Sequence, residues 1–152
     1  MSKVISAGIL LEHNGLFLLG HPTELTGTTH GWGILKGKVD EGEEMFQAAM
    51  REFEEESGVG IKEGIYSAAI DVTPRPFFKY SIKNKKTVYV YWAVDYDGYV
   101  FSQKLHCPSL VPNTDKPEID AYTWVELDKA IQLVTESQKD LFRQVKTLTD
   151  RK

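Results

Sequence analysis

The hydrophobic and polar positions of the chain fall into short apolar runs, typical of strands, and two longer segments with helical periodicity. The runs Val4–Leu11 and Leu16–Gly20 flank His13-Asn14-Gly15, and an Asn-Gly pair between apolar runs is a strong hairpin signal. Further runs rich in β-branched and aromatic residues predict the remaining strands. These strands are Tyr66–Val72, Phe77–Ser81, Thr87–Val94 and Ala121–Val125.

Two segments have the composition and spacing of helices. Glu43–Ser57 contains neither proline nor glycine, and Gly58 follows it as a helix stop. Leu127–Leu148 is the second, and we expect it to be broken near Thr135. The Gly- and Thr-rich stretch HPTELTGTTHGWG predicts a loop with a short strand near Trp32.

The order of these elements predicts the fold class. Strands come before, between and after the helices without a regular βαβ repeat, which favours a mixed-sheet α/β or α+β layered fold. The proline-containing segment Ser102–Pro117 is expected to be an exposed loop. Because no repeat, low-complexity tract or linker interrupts the sequence, residues 1–152 are expected to form one domain.

Composition narrows the function classes. The formal net charge is only -4, so no global field favours nucleic acid or an acidic membrane. The single cysteine, Cys107, excludes an internal disulfide and fits a reducing compartment. The apolar start of the chain lacks a cleavage site, and no apolar stretch is long enough to span a bilayer. We therefore expect a cytoplasmic protein.

Carboxylates are unusually dense between Asp40 and Glu56, a stretch that contains eight of them. At 100° per residue, one face of the predicted helix is apolar. That face carries Phe46, Ala49, Met50 and Phe53. Glu52, Glu55 and Glu56 converge on a neighbouring strip, whereas Glu54 points away. The strip is either solvated surface or the ligand set of a hard divalent cation such as Mg2+.

The residues around the strip decide between these interpretations. The positions Gly37, Glu43, Arg51, Glu52, Phe53, Glu55, Glu56, Gly58 and Val59 satisfy the pattern G-x5-E-x7-R-E-U-x-E-E-x-G-U, in which U is apolar. This pattern resembles the Nudix box, the signature of the Nudix hydrolase family. The match covers every fixed position at its spacing, so a solvated surface no longer explains the carboxylates.

The resemblance implies a loop-helix-loop within an α/β/α sandwich, and hydrolysis of a nucleoside diphosphate linked to another group X with Mg2+ or Mn2+. By position, Glu52, Glu55 and Glu56 resemble metal ligands, and the Gly37 carbonyl is a candidate for another. Glu43 and Arg51 resemble the structural pair that orients the helix. The implied partner is a small nucleotide, with no membrane involved, and the implied assembly is a monomer or a homodimer.

Two stretches outside the box resemble the asymmetric diadenosine tetraphosphate hydrolase branch of the family. They are KTVYVYWA, with Tyr80 upstream of it, and PEIDAYTW. In that branch the Glu118 position approaches the metal, as a further catalytic ligand or base, with Asp115 and Asp120 as rivals. The Tyr122 position stacks on adenine there, although Tyr122 is equally compatible with a core position on a strand.

Lysines supply the remaining candidate substrate contacts. Lys36 precedes the box and could touch phosphate, or be an exposed lysine without a role. Lys79 and Lys86 flank a basic turn that could grip a polyphosphate chain or simply be solvated. Together with Tyr80 and Tyr122, these lysines complete the predicted substrate-binding set.

One departure leaves the substrate open. The branch usually has W-x-x-P-K-G before the box, and Leu35 stands where that proline would be. The sequence is also compatible with ADP-ribose, flavin dinucleotide, nucleoside triphosphates or the 5' end of RNA, the one case with a nucleic-acid partner. A non-catalytic nucleotide sensor is the competing class, but such domains typically lose box carboxylates and this chain keeps them all.

Overall fold

The structure is a computed structural model that describes residues 4–61, 70–72 and 75–150. Its strands are β1 (Val4–His13), β2 (Leu16–Pro22), β3 (Leu35–Lys38), β4 (Ile70–Val72), β5 (Phe78–Ile82), β6 (Lys86–Asp95) and β7 (Ile119–Glu126). Its α-helices are α1 (Met45–Ser57), α2 (Leu127–Leu133) and α3 (Lys139–Asp150), and short 3-10 turns cover Thr23–Leu25 and Glu136–Gln138.

The strands form one mixed sheet whose centre is a parallel pair. The order is β4-β6-β1-β2-β7, with β3 pairing β1 and β5 pairing β6. Strand β1 runs parallel to β6, with Val4 opposite Lys86 and Glu12 opposite Val94. The other pairings are antiparallel, including β1 with β3, where Ala7 lies opposite Gly37. Strand β3, which precedes the carboxylate helix, is therefore paired with the central strand β1.

Helices cover both faces of the sheet because its central strands are apolar on both sides. On one face α1 buries Ala48, Ala49 and Phe53 against β1, β3 and β6. On the other face α3 buries Leu141, Phe142 and Val145. The result is an α/β/α sandwich. No helix within the described residues is long and apolar enough to cross a membrane.

The predicted elements are present with shifted ends. The broken C-terminal segment resolves into α2, the 3-10 turn and α3, with Val134 and Thr135 at the break. The carboxylate helix begins at Met45, two residues later than predicted, because Glu44 is extended and acts as the N-cap. The strand near Trp32 lies a few residues further on, as β3, and Trp32 itself makes an isolated bridge with Val134.

One predicted strand can be compared with the structure only in part, and one predicted loop can be compared in full. Of the predicted strand Tyr66–Val72, residues 66–69 lie outside the described residues, and 70–72 form β4. The predicted loop Ser102–Pro117 is a loop, and its last part closes on itself because the Val111 N–H donates to the Lys116 carbonyl at 2.8 Å. A bridge between Leu110 and Pro117 continues this pairing toward β7.

Candidate active site on the carboxylate helix

Helix α1 ends where its sequence predicts. Gly58 adopts a left-handed conformation with φ of 77°, which a residue with a side chain would adopt only with strain, and its N–H donates to the Glu54 carbonyl. With Phe53 in the core, Glu54 is exposed and Glu56 is buried. The faces therefore match the helical projection, and the acidic strip lies between core and solvent.

Arg51 fixes the acidic side chains around it. Its Nε and Nη2 donate to the two oxygens of Glu43 at 2.8 and 3.0 Å. Its Nη1 donates to Glu52 Oε1 and Glu55 Oε2, both at 3.0 Å. These hydrogen bonds hold the pKa of the Glu43 carboxyl below its ordinary value and that of the Arg51 guanidinium above its own. One arginine thus orients three glutamates.

The Glu52 carboxyl lies directly against Gly37 on β3. A Cβ atom at position 37 would stand 2.0 Å from the Glu52 carboxyl carbon, so only glycine leaves room for this approach. Burial raises the pKa of Glu52, and the charge of Glu55 raises it further. The backbone of β3 and the acidic strip therefore form one surface, as the box resemblance implies.

Glu56 is the most buried carboxylate of the strip, at 6% exposure. Its Oε1 accepts a hydrogen bond from the backbone N–H of Lys36 at 3.0 Å, and its carbonyl accepts one from the Tyr122 hydroxyl. Burial, and after it the charge of Glu52, raise the pKa of the Glu56 carboxyl to about 8. A cation beside it would restore the charged form.

Glu118 reaches the same place from the start of β7. Its side chain is half-buried, and its charge acts on both Glu52 and Glu56 by raising their pKa. The hydroxyl of Ser109 donates to Glu118 Oε1 at 2.5 Å. The structure thus brings Glu118 together with the box carboxylates, whereas its rival Asp120 is bound to His21 and Thr26 instead.

A cleft of about 510 Å³ opens beside these carboxylates. Gly37, Glu56 and Glu118 line one end, and Lys36 and Lys86 are also part of its lining. Burial lowers the pKa of the Lys36 ammonium to about 8, and the nearby positive charge of Lys86 acts in the same direction. Two cations crowded beside an acidic strip suit an anionic ligand that contacts both.

Three predicted substrate contacts do not line this cleft. Tyr80 is buried in the core beneath α3, and burial raises the pKa of its hydroxyl. Tyr122 is half-buried against the core under α1, where its hydroxyl donates a hydrogen bond to the Glu56 carbonyl. Lys79 is exposed on β5, whose side chains alternate between faces, and it falls on the face opposite to Tyr80. Of the two positions expected for Tyr122, stacking on adenine or packing on a strand against the core, the structure has the second.

The donor set can be tested against a divalent ion. Within the described ranges, no three acidic, histidine or cysteine side chains stand close enough to chelate an ion as they are. Arg51 engages one oxygen of Glu52 and one of Glu55. However, Glu52 sits in a cradle that a Cβ at Gly37 would fill, and oxygen donors of this kind suit Mg2+ or Mn2+. The residues fit such an ion, with Glu56 and Gly37 in the lining of the cleft and Glu52 against Gly37.

Two residues of the site were not predicted from the sequence. Gln138 is buried at the far end of the cleft, where its Oε1 accepts the Ile34 N–H at 3.0 Å. Ser109 contacts Glu118 from the long loop. A lone serine and a lone glutamine carry no motif, and only the tertiary structure brings Gln138 to the cleft and Ser109 to Glu118.

Comparisons with known proteins agree with this geometry. A family model described as NUDIX domain matches residues 2–145. RNA pyrophosphohydrolase of Bartonella quintana (strain Toulouse) is 30% identical over 126 residues, which cover 79% of this chain and 70% of that protein. The asymmetrical bis(5'-nucleosyl)-tetraphosphatase of Rattus norvegicus is 30% identical over 104 residues, covering 68% of this chain and 61% of that protein.

Solved structures share the fold. A Caenorhabditis elegans Ap4A hydrolase in a binary complex has a TM-score of 0.72 at 20% identity, covering 97% of this chain and 99% of that chain. A MutT protein from Methanosarcina mazei Go1 has a TM-score of 0.68 at 20% identity, covering 98% of each chain. At these identities the likeness shows a common architecture, which confirms the predicted fold class.

Proposed function

The chain belongs to the NUDIX family and is a pyrophosphohydrolase of it, and on that premise we propose that it uses Mg2+ or Mn2+ to hydrolyse dinucleoside polyphosphates. The observation that carries the proposal is the contact of Glu52 with Gly37, together with the place of Gly37 and Glu56 in the lining of the cleft. Glu52, Glu55, Glu56 and the Gly37 carbonyl would hold the ion. A divalent ion there would neutralise charge on phosphate oxygens and lower the pKa of a water molecule.

The residues of the chain have separable roles in the proposed reaction. Arg51 holds the carboxylates of Glu52 and Glu55 in place by hydrogen bonds. Its bidentate bond to Glu43 fixes the guanidinium itself. Glu118 faces the strip from outside the helix and is the candidate to accept the proton of the attacking water, or to serve as a further ligand. The water oxygen becomes part of the product phosphate, and the phosphoanhydride bond breaks.

Lys36 and Lys86 supply the positive charge for the substrate. Both line the cleft, and the strained proximity of their ammonium groups is relieved when a phosphate oxygen lies between them. Since these lysines lie beside the acidic end, a polyphosphate chain would place its scissile bond near Glu56 and a nucleoside further along the cleft. The rat relative, named a bis(5'-nucleosyl)-tetraphosphatase, supports this substrate class.

RNA with a 5' triphosphate is the second candidate substrate. The named RNA pyrophosphohydrolase of Bartonella quintana supports it, as does the exposed basic turn beside the cleft at Lys83 and Lys85, which could contact a following phosphodiester. Both candidates use the same acidic strip, so they differ only in what extends beyond the lysines.

The first experiment compares two glutamates of α1 that lie two positions apart in sequence and differ in exposure, Glu56 being buried and Glu54 exposed. Glu56→Gln is expected to reduce Mg2+-dependent turnover at least about 100-fold, because the ion would lose a charged ligand at its most buried position. Glu54→Gln is the matched control: it is exposed on the same helix and should stay near wild type. Equal losses in the two variants would refute the assigned face of α1.

The second experiment identifies the substrate. Purified protein with Mg2+, Mn2+ or EDTA is incubated with diadenosine tetraphosphate, ADP-ribose, flavin dinucleotide, nucleoside triphosphates and a 5'-triphosphate RNA, and the products are separated chromatographically. The proposal expects diadenosine tetraphosphate to have the highest kcat/KM and EDTA to abolish its hydrolysis. A tenfold preference for the RNA would select the second candidate, and nucleotide binding without cleavage would indicate a sensor.

A further inference from the structure

We propose that Ser109 is a positioning residue that holds the Glu118 carboxylate toward the acidic strip, an inference that rests on the proposed role of Glu118. Ser109 lies in the loop between β6 and β7 and contacts both sides of the site. Its hydroxyl donates to Glu118 Oε1 at 2.5 Å. Its backbone N–H donates to the Glu55 carbonyl at 3.1 Å, and its own carbonyl accepts the Glu118 N–H at 2.9 Å. One residue thus connects α1 to β7.

The backbone contacts alone do not set the direction of the carboxylate. The Glu118 N–H is bound to Ser109, and its carbonyl accepts the Thr23 N–H at 2.9 Å, which fixes the main chain on both sides. The side chain still has its rotatable bonds. Among the described residues, the bond from the Ser109 hydroxyl is the one hydrogen bond made to that carboxylate. The hydroxyl therefore selects one rotamer.

The place of Glu118 in the site makes this selection matter. Glu118 and Glu56 both line the cleft, so the direction of the Glu118 carboxylate decides whether it faces the acidic strip. Glu118 is half-buried, so water can also reach its side chain. Without the donor at Oε1, the carboxylate can rotate outward to water. The Ser109 hydroxyl opposes that rotation with a charge-assisted hydrogen bond.

A second hydroxyl in the same loop provides the control. Thr114 Oγ1 donates to the Val111 carbonyl at 2.8 Å and closes the loop on itself. Thr114 is exposed and does not line the cleft. Loss of its hydroxyl affects the same loop without touching Glu118. A general requirement for loop order would therefore affect both positions, and a positioning role would affect Ser109 alone.

The test uses variants of the full chain with diadenosine tetraphosphate and Mg2+, or with the panel compound that is hydrolysed fastest. Ser109→Thr keeps the hydroxyl and adds a methyl group, and Ser109→Val has the shape of that threonine without the hydroxyl. The valine variant is expected to lower kcat about tenfold, the value of one hydrogen bond to a charged group, with KM within about twofold. The threonine variant should recover turnover, and Thr114→Val should match wild type.

Combination with Glu118→Gln separates this proposal from the function on which it rests. If Ser109 acts through Glu118, adding Ser109→Val to Glu118→Gln causes no further loss of kcat. An undiminished loss in the double variant, or equal losses in Ser109→Val and Thr114→Val, overturns the role of Ser109. If Glu118→Gln itself is fully active, the role assigned to Glu118 is what fails. Urea unfolding midpoints of all variants are compared with wild type, and Ser109→Ala takes the place of the valine variant in every comparison should the valine variant be unfolded.

Discussion

Replacement of Gly37 by alanine tests the close contact on which the site depends. The added Cβ would stand 2.0 Å from the Glu52 carboxyl carbon and 2.0 and 2.3 Å from its oxygens. To reach ordinary van der Waals contact the carboxyl must retreat by roughly 1.4 Å. Because it is the far end of a flexible side chain, it can do so by rotation. The fold should accommodate the change while the proposed ligand moves.

The two consequences of this substitution differ in size. A ligand displaced by about 1 Å from its working position can cost on the order of 100-fold in turnover, so we expect at least that loss in kcat/KM. Stability should change little, since alanine is better than glycine in a strand by roughly 0.5–1 kcal/mol and offsets the strain. Steady-state kinetics of the best panel substrate and urea unfolding measure the two effects separately.

Gly8 is the matched control on the neighbouring strand. A Cβ there would meet the Lys36 Cβ at 2.6 Å and the Leu35 carbonyl oxygen at 2.9 Å, neither of which can rotate away. Gly8→Ala should therefore destabilise the fold by about 1–3 kcal/mol. Near-wild-type turnover of Gly37→Ala would refute the assignment of Glu52 as a ligand held against the backbone. A stability loss as large as that of Gly8→Ala would show that Glu52 cannot rotate.

Three further predictions concern the supports of the acidic strip. Arg51 holds the pKa of Glu43 below its ordinary value of 4.5, so the pair stabilises the fold above pH 4.5. This contribution is lost as the pH falls through the lower pKa of Glu43 in the folded protein. Arg51→Ala should therefore flatten the acid dependence of the free energy of urea unfolding in that pH range. Tyr122→Phe removes the donor to the Glu56 carbonyl and should lower the free energy of unfolding by about 1 kcal/mol, with KM unchanged in steady-state kinetics. Phe53→Ala empties a fully buried position under the strip and should cost about 3–5 kcal/mol in urea unfolding.

The local elements could be predicted because their signals lie within short stretches of sequence. The periodicity of α1 separates Glu54 from Glu56, and the structure has the first exposed and the second buried. Gly58 marks the end of the helix because its left-handed φ favours glycine. The pairing of Arg51 with Glu43 is implied by the resemblance to the box, since spacing alone also allows Glu44 or Glu55, and the structure shows this pair as hydrogen-bonded.

The substrate end of the site could not be predicted in the same way. Strand residues alternate between faces, and a sequence does not say which face carries the cleft. Tyr80 is therefore predicted as a ligand contact but is buried in a core, and Tyr122, which the sequence leaves open between stacking and a core position, packs half-buried against a core. Conversely, Gln138 reaches the cleft and Ser109 reaches Glu118 through contacts between distant segments. Such contacts are decided by the packing of the whole sheet.

The parallel pairing of β1 with β6 has a consequence for how the enzyme becomes active. Its partners lie roughly 80 residues apart in sequence, so the chain must close a long loop before the centre of the sheet exists. The hairpin of β5 with β6 and the helices depend on nearer neighbours and can form earlier. Lys86, which lies on β6, joins Lys36 in the lining of the cleft only with that closure. In refolding from urea, recovery of hydrolysis should therefore lag behind recovery of helical circular dichroism, which makes catalytic activity a reporter of the last step of folding.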